Sequence, residues 1–184
     1  MRTIRTIGTL VIICLAASVG AVLGQTATTF NGTALIYGSG MNTRTVTRTF
    51  TMRVNRQTTG AEVSEYLKKL ESSGQDGLRE AIRNNDLGHF SLGSSLGQRL
   101  NAVVVDTVEG KTRVRAVFER WIGFGELREG YRSVDYPFSY VEIIIDPRTG
   151  KGDGTFIPAA QIRFKEGKAG AAGTVEIEDF GTFP

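Results

Sequence analysis

The sequence predicts an α+β fold built mainly of antiparallel β-sheet. About seven or eight strands, strongly curved or barrel-like, carry a helical hairpin inserted after the second strand. Three observations lead there. Residues 42–54, NTRTVTRTFTMRV, alternate with a period of two. From residue 87 onward, short alternating segments are separated by turns rich in glycine. Between these regions lies the one stretch with helical spacing.

The chain opens with MRTIRTIGTLVIICLAASVGAVLG, residues 1–24, which has the design of a secretory signal: Arg2 and Arg5, an apolar run, then small residues. That run is shorter than the roughly 20 residues a membrane-spanning helix needs, so no stable span is expected once the signal is removed. Residues 25–184 then form a single β-rich domain, secreted or periplasmic. The only cysteine, Cys14, leaves with the signal, which excludes a disulfide or a thiolate metal site in the mature chain. The full chain has 22 basic and 19 acidic residues; without Arg2 and Arg5 the balance is 20 to 19. So small a surplus argues against a nucleic-acid partner.

Residues 25–34 are small and polar and read as irregular, with a first strand over TALIYG, residues 33–38. In the next segment Val46, Phe50, Met52 and Val54 share one register, and threonines fill the other from Thr43 to Thr51. This is a half-buried strand with one wet face. No other segment repeats the threonine ladder, so it reads as a solvated face and not as a working surface. Thr59 and Glu62 form a capping box ahead of Val63, Tyr66, Leu67 and Leu70 at helical spacing, and Gly74 is a stop signal. DGLREAIRNND, residues 76–86, reads as the second, weaker helix of the hairpin.

LNAVVVDTV (100–108) and TRVRAVFERW (112–121) flank a turn at Glu109-Gly110-Lys111. YPFSYVEIIID (136–146) follows, then a turn, then TFIPAAQIRFK (155–165), whose Phe156, Pro158, Ala160, Ile162 and Phe164 fall in one register. Pro158 donates no hydrogen bond, which places this strand at an edge or gives it a bulge. TVEIEDF (174–180) is the last strand.

Complete catalytic motifs are missing. His89 is the sole histidine, and its neighbouring serines lack the G-x-S-x-G elbow. DPRTGKGDG, residues 146–154, fails both the phosphate-loop and the calcium-loop patterns and reads as a hairpin turn. No cofactor and no metal are expected. The richest segment is 119–140, with Trp121, Phe124, Tyr131, Tyr136 and Tyr140; Glu119, Glu126 and Asp135 fall within it and Glu142 just beyond. Aromatic faces beside carboxylates suit a sugar-binding groove, and two carboxylates at about 5–10 Å suit glycosidic hydrolysis. The leading expectation is an exported, non-catalytic domain that binds a small molecule, a glycan or an envelope protein through those aromatics. The alternatives are a cofactor-independent hydrolase using two of the four carboxylates, and a structural envelope or matrix protein.

Overall fold

The computed structural model describes residues 27–36, 45–120, 132–167 and 173–180. Residues 1–24, and with them Trp121, Phe124, Glu126 and Tyr131, lie outside the described residues. The fold is mostly antiparallel sheet with one helix, and the strands divide between two sheets, one of them a half-barrel. The first sheet contains β1 (Thr28–Ile36), β2 (Val46–Val54), β3 (Gly88–Leu92) and β4 (Gln98–Arg99) in that order. The second contains β5 (Ala102–Val108), β6 (Lys111–Glu119), β7 (Phe138–Ile145), β8 (Gly152–Lys165) and β9 (Thr174–Asp179). Nine strands replace the expected seven or eight.

The helix α1 spans Gly60–Ile82, between β2 and β3. Thr59 caps it: the Glu62 amide donates to Thr59 Oγ1 at 3.3 Å, and the Thr59 amide donates to Glu62 Oε2 at 2.7 Å. Arg56 adds two bonds to the same carboxylate, at 3.1 Å each. The Arg56 guanidinium first, and the Thr59 amide second, hold the Glu62 carboxyl down at about 2. In place of a hairpin, the chain forms one helical element broken at Gly74, where φ is +63°. Both halves bury their apolar stripe, Tyr66 and Leu70 from the first, Leu78 and Ile82 from the second.

Two cores share the second sheet. On one face, Val114, Ala116, Phe118, Val141 and Ile143 pack against Met52, Val54 and Phe90 of the first sheet. On the other face, Phe138, Tyr140, Ala160 and Ile162 pack against α1. The layers therefore run sheet, sheet, helix. Asn101 ties them together at the entry to β5. Its side chain donates to the carbonyls of Asn85 (3.1 Å) and Arg83 (3.4 Å) and accepts from the Glu119 amide (2.9 Å). Buried polar groups are tolerated only when satisfied in this way.

Two details differ from the sequence reading. First, β1 begins at Thr28, so residues 28–32 are strand and pair with β2 in continuous register. Thr33 lies opposite Thr49, and Asn31 opposite Thr51, so the hydroxyl ladder does extend onto a neighbouring strand. Second, β8 does not keep one apolar face. It pairs Ala160 with Phe138 but Ile157 with Tyr140, so two β8 residues, Pro158 and Ala159, oppose the single Ser139 of β7. This bulge at Pro158 and Ala159 reverses the facing of everything before it. Phe156 joins the inter-sheet core, whereas Ile162 and Phe164 stay with the helix. The Ser139 hydroxyl bridges the irregularity by donating to the Pro158 carbonyl at 2.9 Å.

Candidate functional site

A cleft of about 310 Å³ is lined by residues of both sheets. Three phenylalanines from distant parts of the chain form its apolar wall: Phe90 on β3, Phe118 on β6 and Phe156 on β8. Phe90 is central, with ring centroids 5.6 Å from Phe118 and 5.1 Å from Phe156, both tilted. Tilted and offset ring arrangements at these distances are the favourable ones. The β8 bulge is what brings Phe156 to this wall. Without the extra residue, its side chain would face the helix.

The polar side of the cleft is carried by Gln98, Arg120 and Ser139. Arg120 follows the last residue of β6; its backbone amide donates to the Pro137 carbonyl at 2.8 Å and its Nε to the Tyr136 carbonyl at 3.0 Å. Gln98 Oε1 is buried with no hydrogen-bond partner among the described residues. A cavity of this size with apolar walls and a few converging polar groups has the composition of a small-molecule pocket.

Of the carboxylates singled out from the sequence, Glu119, Asp135 and Glu142 are among the described residues. Glu119, at the end of β6, accepts from Arg79 Nε at 2.5 Å and so anchors the helix to the sheet. Glu142, in β7, accepts from the Tyr140 hydroxyl at 3.0 Å. The β6–β7 register sets Glu119 opposite Phe138 and Glu142 opposite Arg115. The two acids are therefore four steps apart along the ladder, roughly 13 Å at about 3.3 Å per residue. Asp135 is exposed at the end of a 3-10 turn, Arg132–Asp135, where its carbonyl accepts from Gln75 Nε2 at 3.0 Å.

Tyr136 and Tyr140 are buried and do not line the cleft. Tyr136 packs edge-on against Phe180 with centroids 5.0 Å apart, and its hydroxyl donates to Glu178 at 3.2 Å. Tyr140 lies in the helix-facing core; burial, and then the adjacent Glu142 carboxylate, push its hydroxyl pKa up. His89 is exposed on β3, with Nε2 at 2.5 Å from the Leu96 carbonyl. The turn at 146–151 is a hairpin connection, with the Arg148 amide donating to Asp146 Oδ1 at 2.8 Å and the Gly150 amide to the Asp146 carbonyl at 2.8 Å.

The three cleft phenylalanines escaped the sequence reading because each stands alone in an ordinary alternating strand. Comparison with protein-family models, with curated proteins and with solved structures finds no match for this chain. The cleft stands on its geometry. Among the described residues no helix is long and apolar enough to cross a membrane.

Proposed function

We propose that this chain is an exported, non-catalytic binding domain that takes a small amphipathic molecule into the cleft between its sheets. The observation that carries the reading is the wall formed by Phe90, Phe118 and Phe156, faced by Arg120 and the unpartnered Gln98 carbonyl. An aromatic or aliphatic body would lie against the partly open Phe156 and Leu92, with the buried Phe90 and Phe118 behind them. An anionic or hydrogen-bonding head would meet Arg120. Such a division of labour, apolar area for affinity and a few polar groups for orientation, is how small-ligand sites work. Export rests on the secretory design of the first 24 residues.

The test uses 1-anilinonaphthalene-8-sulfonate, which combines fused rings with a fixed negative charge. The folded protein binds it saturably with enhanced fluorescence, while the thermal transition stays cooperative. Leu92→Trp, which fills the cleft from β3, abolishes the signal without lowering the melting temperature. Equal binding by wild type and Leu92→Trp, or no binding by either, overturns the reading.

A further inference from the structure

The opposite side of the first sheet, facing solvent, has a chemistry of its own. Pairing across β1, β2 and β3 arranges the exposed side chains into rows. Leu35 lies opposite Thr47, and Thr33 opposite Thr49. Asn31, Thr51 and Ser91 form the next row, within which the Thr51 hydroxyl donates to Asn31 Oδ1 at 2.9 Å. The last row runs across all four strands as Thr29, Arg53, His89 and Arg99. Neighbouring rows are about 7 Å apart along the strands, and neighbouring strands about 4.8 Å apart. The result is a patterned surface: hydroxyls and an amide over most of it, and a bar of cationic or ionisable nitrogen groups along one end.

Two observations give the surface a partner. No strand of the first sheet contains an aspartate or a glutamate. Among the described residues neither Arg53 nor Arg99 pairs with a carboxylate; Arg53 Nε donates instead to Asn55 Oδ1 at 3.1 Å. Among the described residues the cationic bar thus meets no protein counter-charge, and a polyanion supplies one. The rest of the face selects among polyanions. Single-stranded nucleic acid uses aromatic platforms for successive bases, and the rows hold no phenylalanine, tyrosine or tryptophan, His89 being their one ring. A membrane surface calls for an apolar stripe, and Leu35, at a corner, is the one large apolar side chain in the rows. Rows of threonine, serine and asparagine match a ligand that presents hydroxyls of its own.

We propose that the solvent-facing side of β1–β4 is a docking surface for an acidic polysaccharide, whose carboxylate or sulfate groups lie along Arg53, His89 and Arg99 while its hydroxyls meet the threonine rows. This surface is on the far side of the sheet from the cleft, and neither test depends on the other.

Alginate is the probe, with neutral dextran, oligothymidylate and phosphatidylserine vesicles as comparison ligands. The protein binds alginate at low salt, binds it more weakly as salt rises, and ignores dextran. The Arg53→Gln/Arg99→Gln double variant weakens binding by roughly tenfold, in line with the loss of two exposed ion pairs. Thr49→Val/Thr51→Val keeps every charge and weakens binding about threefold, equivalent to a partial loss of neutral hydrogen bonds. Arg148→Gln/Lys151→Gln, which removes the same charge from the β7–β8 turn of the other sheet, leaves binding unchanged. No alginate binding, stronger binding of oligothymidylate or vesicles, or an equal loss in the turn variant overturns the proposal.

Discussion

The two sheets handle their charges in opposite ways. In the second sheet, charged side chains are paired across strands. Arg113 meets Asp106 through two bonds of 2.8 and 2.7 Å, Arg115 shares the same carboxylate at 2.7 Å, and Arg163 and Lys165 reach Glu178 and Glu176 at 3.3 and 3.6 Å. In the first sheet Arg53 and Arg99 meet no acid among the described residues, and neutral hydroxyls fill most of the remaining outward positions. Their burial differs as well. The second sheet is covered on both faces, by a sheet and by a helix, whereas the first is covered on one. A sheet enclosed and internally neutralised is suited to be a scaffold. A sheet left open on one side with uncompensated cations is suited to contact something else.

That contrast can be broken by substitution, starting where the effect is largest. Phe118 is fully buried between the sheets. Phe118→Ala should cost about 3–5 kcal/mol, read as a lowered urea midpoint, because transfer and cavity terms add. Asn101→Ala leaves the Glu119 amide without its acceptor and two carbonyls without their donor. It should cost about 2–3 kcal/mol in the same assay.

The helix cap gives a smaller effect with a pH signature. The folded-state pKa of Glu62, about 2, lies below its ordinary value of 4.5. Its contribution is therefore fully present above about pH 4.5 and is lost as pH falls through 2. Glu62→Gln should destabilise by about 1 kcal/mol at neutral pH. The gap to wild type should close in chemical melts run at successively lower pH.

The smallest effect is the sharpest test of the contrast. Thr49→Val with Thr51→Val should shift stability by less than about 0.5 kcal/mol, because both side chains are exposed and the bond from the Thr51 hydroxyl to Asn31 Oδ1 lies in solvent. A loss comparable to that of Asn101→Ala would mean that the open face is structural after all.

What was readable in the sequence follows from what is local. The alternation in β2 fixed its facing correctly, with Met52 and Val54 buried and Thr47, Thr49 and Thr51 exposed. The capping box at Thr59 and Glu62 forms as its spacing predicts, since all its partners lie within three residues. The β5–β6 turn was also legible, though it is tighter than expected. Glu109 and Gly110 alone make it, at φ of +52° and +75°, with Lys111 already paired to Val108.

What depends on pairing was not readable. Thr29, Asn31 and Thr33 do alternate with Phe30, Gly32 and Ala34, but small residues give that pattern little weight. Only the register with β2 turns it into a surface. Pro158 pointed to an edge or a bulge; the strand is internal, between β7 and β9, and bulged. That the bulge would send Phe156 into the inter-sheet wall depends on Ser139 across the ladder. The hydroxyl partners of Tyr136 and Tyr140, Glu178 and Glu142, could not be assigned without the fold.

The irregularity in β8 has a consequence for how the gene can change. One strand of 14 residues serves both hydrophobic layers, and a single surplus residue decides which half serves which. Losing one codon at Pro158 or Ala159 would leave every remaining side chain chemically intact yet rotate half the strand by a half-turn, exchanging oil-facing for water-facing positions. Replacement of Pro158 is therefore more tolerable than shortening there, while the buried Ala159 admits only small side chains, and lineages of this protein should keep that spacing.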